Sequence, residues 1–220
     1  MHPIRWIIIG AGAFGREVFH WTRDMIADCP EQTIGGFLDA DSSALQGFDI
    51  PAPVLGNPEH SAPLPDDRFV CAIAAPQTRL AVCRAIQDRG GKFGNVIHPT
   101  AVVASDAILG SGVILCPQAL VSTNVSVGNF VIVNVASSIG HDAVIGDGCT
   151  LSGHCDVTGN AVLEEGVFLG SHASVVPGKR VGAYASISAG SVVVRNAPAQ
   201  SVMTGVPAKC LFRRDQPKAA

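Results

Sequence analysis

Val127-Gly-Asn-Phe-Val-Ile-Val133-Asn-Val-Ala-Ser-Ser-Ile139-Gly-His-Asp-Ala-Val-Ile145-Gly-Asp-Gly-Cys-Thr-Leu151 returns to an aliphatic residue at every sixth position. The register extends in both directions, from Ile97 to Val193, and all seventeen of its positions are Val, Ile or Leu. Four residues after each lies a second register, filled by Ala, Val, Ser or Cys at fifteen of sixteen positions from Ala101 to Ser191, with Lys179 the exception. A period of six matches neither the 3.6-residue turn of a helix nor the two-residue repeat of a long strand. It fits a coil with three short sides. Each side turns its aliphatic residue inward, and the small residue sits where two segments crowd at a corner. Eighteen residues make one coil, so the repeat supplies five to six coils, stacked about 4.8 Å apart by parallel strand pairing. Seventeen buried aliphatics, at roughly 1.5–3 kcal/mol each, offer tens of kcal/mol against the entropy of ordering the chain.

Upstream the period of six is absent, and residues 4–97 alternate between strand and helix patterns. Arg5-Trp-Ile-Ile-Ile9 reads as a buried strand, followed by Gly10-Ala-Gly12-Ala-Phe-Gly15 and a helical stretch from Arg16 to about Ala27. Strands are expected at Thr33–Leu38, ending at Asp39, at Phe69–Ala74 and at Phe93–Ile97. Gln77–Arg89 reads as a helix and the Pro-, Gly- and Asp-rich stretch to Asp67 as a loop. This alternation implies a small, parallel, doubly wound sheet. The expected organisation is an α/β Rossmann-like domain over 1–96, a β-helix over 97–196 and a C-terminal tail over 197–220. The three glycines follow a strand and open a helix, where the backbone can approach a ligand and the helix N-terminus favours an anion. Some 95 residues hardly hold the two halves of a dinucleotide site, so a nucleotide or nucleotide-sugar is expected rather than NAD.

Composition narrows the classes further. The 220 residues are 47% hydrophobic but only 5% aromatic, with 24 Gly and 14 Pro, which suits short strands and tight corners. Charged residues at 15% exclude a disordered chain, and a net charge of −3 leaves no basic excess for nucleic acid. Seven cysteines, none in a C-x-x-C pair, read as reduced thiols of a cytoplasmic protein. The longest apolar run near the start is Trp6–Ile9, too short to span a membrane.

Together with Gly36-Phe-Leu-Asp39, Ala72-Ile-Ala-Ala-Pro-Gln-Thr-Arg79, the segment from Asn134 to His141-Asp142 and Gly205-Val-Pro-Ala-Lys209, these features resemble the nucleotide-sugar acyltransferases of bacterial surface-glycan synthesis. Those are left-handed parallel β-helices of the hexapeptide type behind a small Rossmann-like domain. The resemblance implies N-acetylation of the 4-amino group of a nucleotide-linked 4-amino-4,6-dideoxy sugar from acetyl-CoA, with GDP-perosamine favoured, for lipopolysaccharide or O-antigen synthesis. It implies a homotrimer with active sites at subunit interfaces and CoA in the groove between β-helices. Gly12, Ala13, Phe14, Asp39, Ala74 and Arg79 are expected to hold the sugar nucleotide. Thr150, Gly159, Ala189 and Lys209 are expected along CoA, Thr150 standing where some relatives carry a histidine. His141, Asp142 and Asn134 are the expected catalytic set.

Among seven histidines, His141 lies two residues after the inward Ile139, near a corner where side chains leave the core. Imidazole can take a proton near neutral pH, and Asp142 beside it can fix the tautomer. Asn134 or backbone N–H groups are candidates to stabilise an oxyanion. Whether His141 removes the proton or orients an already neutral amine stays open. His154 and His172, one coil apart, are expected to stack on one corner in a structural or interface role. Cys149 and Cys155 fall in the small register and are expected in the core. No metal is expected. The γ-carbonic anhydrases, built on the same scaffold, need two histidines five residues apart, and this chain has no such pair. An O-acetyltransferase acting on sialic acid or a related sugar, and a non-catalytic nucleotide-sugar-binding trimer, are the competing functions.

Overall fold

The computed structural model describes residues 3–214. Strands β1 (Ile4–Ile9), β2 (Gln32–Leu38), β3 (Val54–Gly56) and β4 (Asp67–Cys71) form one parallel sheet in the order β3-β2-β1-β4. Successive β1 residues face opposite sides. Trp6 and Ile8 join Phe37 and Val70 under helix α1 (Ala13–Met25), and Ile7 and Ile9 join Phe69 and Cys71 under helix α2 (Pro76–Asp88). Each helix therefore covers an apolar patch on its own face of the sheet. Strand β3 lies inside the stretch expected to be a loop; three residues between proline- and glycine-rich flanks carry too little alternation to read. The strand expected over Phe93–Ile97 joins the first sheet only through a single bridge between Phe69 and Phe93. Its end, Val96–Ile97, instead begins the β-helix.

From Val96–Ile97 to Val192–Val193 run seventeen two-residue strands, β5 to β21, and each from β5 to β18 pairs in parallel with the strand 18 residues on. They stack into three faces of a left-handed β-helix. The second residue of each strand is the register of six; it is buried in one continuous core from Leu115 to Val193. Ile97, Val103 and Leu109 are only partly buried, since no coil closes the helix beneath them. Cys149 and Cys155 lie in this core, while Lys179 is partly exposed. Strand β22 (Ser201–Thr204) extends the first face, and β23 (Lys209–Arg213) folds back antiparallel upon it.

Each corner holds one residue in the left-handed region, and from Phe130 to Gly190 its N–H donates to the carbonyl nineteen residues earlier, while Asn124 N–H donates to Asp106 Oδ2 instead. Phe130, Gly148, Gly166 and Tyr184 stack on one corner; Ala136, His154, His172 and Gly190 on the next; Asn124, Asp142, Asn160 and Gly178 on the third. Five of the corner residues from Gly112 to Gly190 are glycines, which meet this conformation at no steric cost. The Phe130 corner and the first face pack against the N-terminal domain: Val96, Ile114 and Ile132 join the α1 cluster, and Phe130 joins that of α2. The His141 corner lies on the opposite side of the coil, between the other two faces. Among the described residues no helix is long and apolar enough to cross a membrane.

Candidate active site

His141 leads into the left-handed Asp142, which turns the chain sharply enough for adjacent side chains to meet. Asp142 Oδ2 lies 2.7 Å from His141 Nδ1. A carboxylate only accepts, so in the neutral imidazole Nδ1 carries the proton and Nε2 presents a lone pair. The pair is open to solvent, with side chains 58% and 45% exposed, and the His141 carbonyl is held by Asn160 N–H at 2.9 Å. Gly159, one coil on, lies against the imidazole at Nε2. Its own N–H, like those of Thr123 and His141 on the same corner, has no partner among the described residues.

The glycine loop holds a second set of expected residues. Gly10 adopts a positive φ of 96°. A Cβ on Gly15 would lie 2.0 Å from the Gly10 carbonyl oxygen, so that position is set by close packing of helix on strand. Gly12, the residue that opens α1, meets neither need: a Cβ there would have nothing within 4 Å. Gly12 and Ala13 are exposed, and Phe14 packs edge-on against Trp21. Asp39 fixes the loop, accepting Ala11 N–H at 2.7 Å on one oxygen and Asp41 N–H at 2.9 Å on the other. Arg16, in the next turn of α1, places its guanidinium carbon over the Phe48 ring, 3.6 Å from the ring centre. Neither residue was singled out by the sequence, in which nothing links position 16 to position 48.

Two expected ligand contacts are corrected. Arg79 is fully buried. Its guanidinium donates to the carbonyls of Phe130, Ile73, Ala74, Gly148 and Cys149 and to Thr150 Oγ1, leaving no N–H for a sugar nucleotide. Burial lowers its pKa, an effect partly offset by the neighbouring thiols. Thr150 is buried too. Its hydroxyl accepts from Arg79 and donates to the Ala74 carbonyl, so it belongs to the domain junction rather than to a CoA groove. Ala74 is exposed, but its carbonyl serves the same junction.

Asn134 is not brought to His141 within one chain. It precedes the His154 corner, and its Oδ1 accepts Val135 N–H at 2.7 Å. Ala189 lies on that same corner, and the Gly205–Lys209 turn is tied back beside it by the Ala208 N–H to Val192 carbonyl bond. His154 and His172 stack there at 4.8 Å with rings 3° from parallel. The expected residues thus divide between two corners: His141, Asp142 and Gly159 on one, Asn134, Ala189 and Lys209 on or beside the other.

PerB from Caulobacter crescentus, in complex with CoA and GDP-perosamine, is 30% identical over 94% of this chain and 97% of its own, with a TM-score of 0.83. The chain belongs to the hexapeptide-repeat nucleotide-sugar N-acetyltransferases. A family model described as the PglD N-terminal domain matches residues 5–86 of this acetyltransferase. A perosamine N-acetyltransferase from the same Caulobacter, with a histidine replaced by asparagine, is 29% identical over 94% of this chain and 96% of that one (TM-score 0.84). The acetyltransferase domain of PglB from Neisseria gonorrhoeae FA1090, in complex with acetyl coenzyme A, is 27% identical over 94% and 98% (TM-score 0.85). No curated protein sequence matches the acetyltransferase significantly. Among the described residues no group of three or more His, Cys, Asp or Glu is placed to hold a metal ion.

Proposed function

We propose that the enzyme transfers acetyl from acetyl-CoA to the 4-amino group of a nucleotide-linked 4-amino-4,6-dideoxy sugar, with GDP-perosamine the favoured acceptor, in the cytoplasmic synthesis of a bacterial surface glycan. The observation that carries the reading is the His141–Asp142 pair at 2.7 Å with Nε2 uncommitted. The amine nitrogen attacks the thioester carbonyl; as the C–N bond forms, its proton passes to His141 Nε2, and Asp142 stabilises the resulting imidazolium. The C–S bond then breaks, and the proton leaves with the CoA sulfur. The Gly159 N–H is available to the oxyanion. Proximity of the two bound substrates carries much of the rate.

The nucleotide lies at the glycine loop, where Gly12 leaves open space and the first turn of α1 presents free N–H groups. Arg16 supplies the positive charge its diphosphate needs. The contact with Phe48 is a cation–π one and occupies none of the guanidinium N–H groups.

We infer that a homotrimer completes the site. Within one chain the expected residues sit on two different corners, so a neighbour's Asn134 corner must meet the His141 corner to close it. The faces flanking His141 carry exposed Val102, Ile108, Leu120 and Val144, apolar surface that a second copy would cover.

Release of free thiol from acetyl-CoA with a panel of GDP-perosamine, two UDP-linked 4-amino sugars and a sialic acid tests the reading. Turnover with one nucleotide-linked amine supports it and names base and sugar together. Turnover only with a hydroxyl acceptor makes the enzyme an O-acetyltransferase, and binding without turnover makes it a sensor.

A further inference from the structure

Gly159 raises a question that coil geometry leaves unanswered. Its φ lies outside the left-handed region. The same corner position is Thr123, His141 and Pro177 in the neighbouring coils, so the backbone there accepts a side chain. Gly128, Gly140, Gly146 and Gly170 are glycines because a Cβ would strike atoms of the next coil, mostly main chain. At Gly159 the three nearest atoms all belong to one imidazole: His141 Nε2 at 2.4 Å, Cε1 at 2.5 Å and Cδ2 at 3.0 Å. Gly153, on the neighbouring corner, is the natural contrast, since a Cβ there meets only the Val135 carbonyl oxygen at 3.6 Å.

We propose that Gly159 is the positioning residue for His141, its missing side chain forming the seat on which the base nitrogen rests. Asp142 holds the ring by a hydrogen bond at Nδ1, and Gly159 holds it by contact at Nε2. An imidazole this exposed would otherwise visit several rotamers. With both restraints Nε2 has one place, directly over the next coil. Ordinary contact begins near 3.4 Å, so a methyl group at 159 has to push the ring by about 1 Å. A displacement of that size at a reacting group costs roughly 10²-fold in rate. The inference rests on the reading of His141 as the base.

Four variants test it: Gly159→Ala, Gly153→Ala, His141→Ala and the double variant His141→Ala with Gly159→Ala. Gly159→Ala is expected to lower kcat roughly 10²-fold with KM for the sugar nucleotide little changed, and to lower Tm; Gly153→Ala, on the corner assigned to the other half of the site, is the control for Tm, which stays near wild type. In the His141→Ala background, adding Gly159→Ala changes neither kcat nor Tm further, because no ring remains to be displaced. The histidine Cε1 resonances of the labelled enzyme, read without any substrate, should show His141 shifted by Gly159→Ala and untouched by Gly153→Ala. That readout judges the seat even where no acceptor is turned over. An unmoved His141 resonance with unchanged kcat overturns the proposal, as does an equal loss from Gly159→Ala with and without the ring. If Gly159→Ala fails to fold, folding of the double variant supports the seat, and failure of both assigns the glycine to the coil instead.

Discussion

The guanidinium of Arg79, on α2, donates to the hydroxyl of Thr150, on the β-helix, at 2.8 Å inside a fully buried junction. One side chain thereby satisfies carbonyls at both ends of the interface: Ile73 and Ala74 on its own domain, Phe130, Gly148 and Cys149 on the other. Replacing it leaves several buried acceptors unpaired at once. Arg79→Met should cost about 3 kcal/mol or more, measured by urea unfolding at fixed protein concentration. Arg79→Lys should rescue little, because three donors on one nitrogen cannot reach acceptors spread around a planar fork.

His141→Asn should retain binding of both substrates by calorimetry while kcat/KM falls by roughly 10² to 10⁴; unchanged turnover removes the assignment. Asp142→Asn is the finer probe, because Asn tolerates the left-handed conformation that Asp142 adopts and the coil should be undisturbed. An amide can serve either imidazole tautomer, so the Nε2 lone pair is no longer enforced. A loss of roughly tenfold in kcat with an unaltered Tm is expected, smaller than the loss on removing the ring.

The β-helix was legible because its core is one residue type at one spacing, and the buried run from Leu115 to Val193 follows that register without a break. His141 and Asp142 were legible for a local reason: adjacent residues at a corner meet whatever the rest of the chain does. Arg79 was misread for the opposite reason. A cation just beyond a strand end invites a ligand, whereas three of its acceptors are main-chain carbonyls 51 to 70 residues away, and a carbonyl leaves no mark in sequence. Thr150 was read by analogy with a histidine elsewhere, and its place on the face covered by the N-terminal domain decides otherwise. The left-handed corners were hidden as well, since Phe130, Ala136 and Tyr184 occupy positions where glycine or asparagine would have announced the turn.

Arg16→Met should raise KM for the nucleotide-sugar, and Kd for a free nucleoside diphosphate, by roughly 10- to 100-fold, the range expected when a hydrogen bond to a charged group is lost. KM for acetyl-CoA should not move. Phe48→Leu keeps the charge but removes the stacking surface, and a few-fold effect is expected for so exposed a pair. Titration of nucleoside mono- and diphosphates by calorimetry checks both, and equal effects of Arg16→Met on the two ligands would argue against contact with the terminal phosphate.

Thiol chemistry follows burial. Cys71, Cys83, Cys116, Cys149 and Cys155 are buried, Cys29 is half-buried and Cys210 is exposed. Burial pushes Cys149 up to about 12 and Cys155 to about 11, so neither forms the reactive thiolate near neutral pH. An aromatic disulfide reagent should therefore modify Cys210 quickly and Cys29 slowly in the native enzyme, with the other five appearing only on denaturation. Rapid reaction of Cys149 or Cys155 would mean that the coil opens on the assay timescale.

A site divided between copies makes a demand that a site within one chain does not. His141→Ala disables the His141 corner, and Ala189→Arg should obstruct the neighbouring corner without touching the first. Each homo-oligomer is expected to be nearly inactive. In mixed oligomers, formed by co-expression and isolated with two affinity tags, some interfaces pair the intact His141 corner of one variant with the intact Ala189 corner of the other. Those sites are whole, so activity should reappear in proportion to their statistical share. If each chain carried its own complete site, every site in the mixture would keep one defect, and mixing would restore nothing.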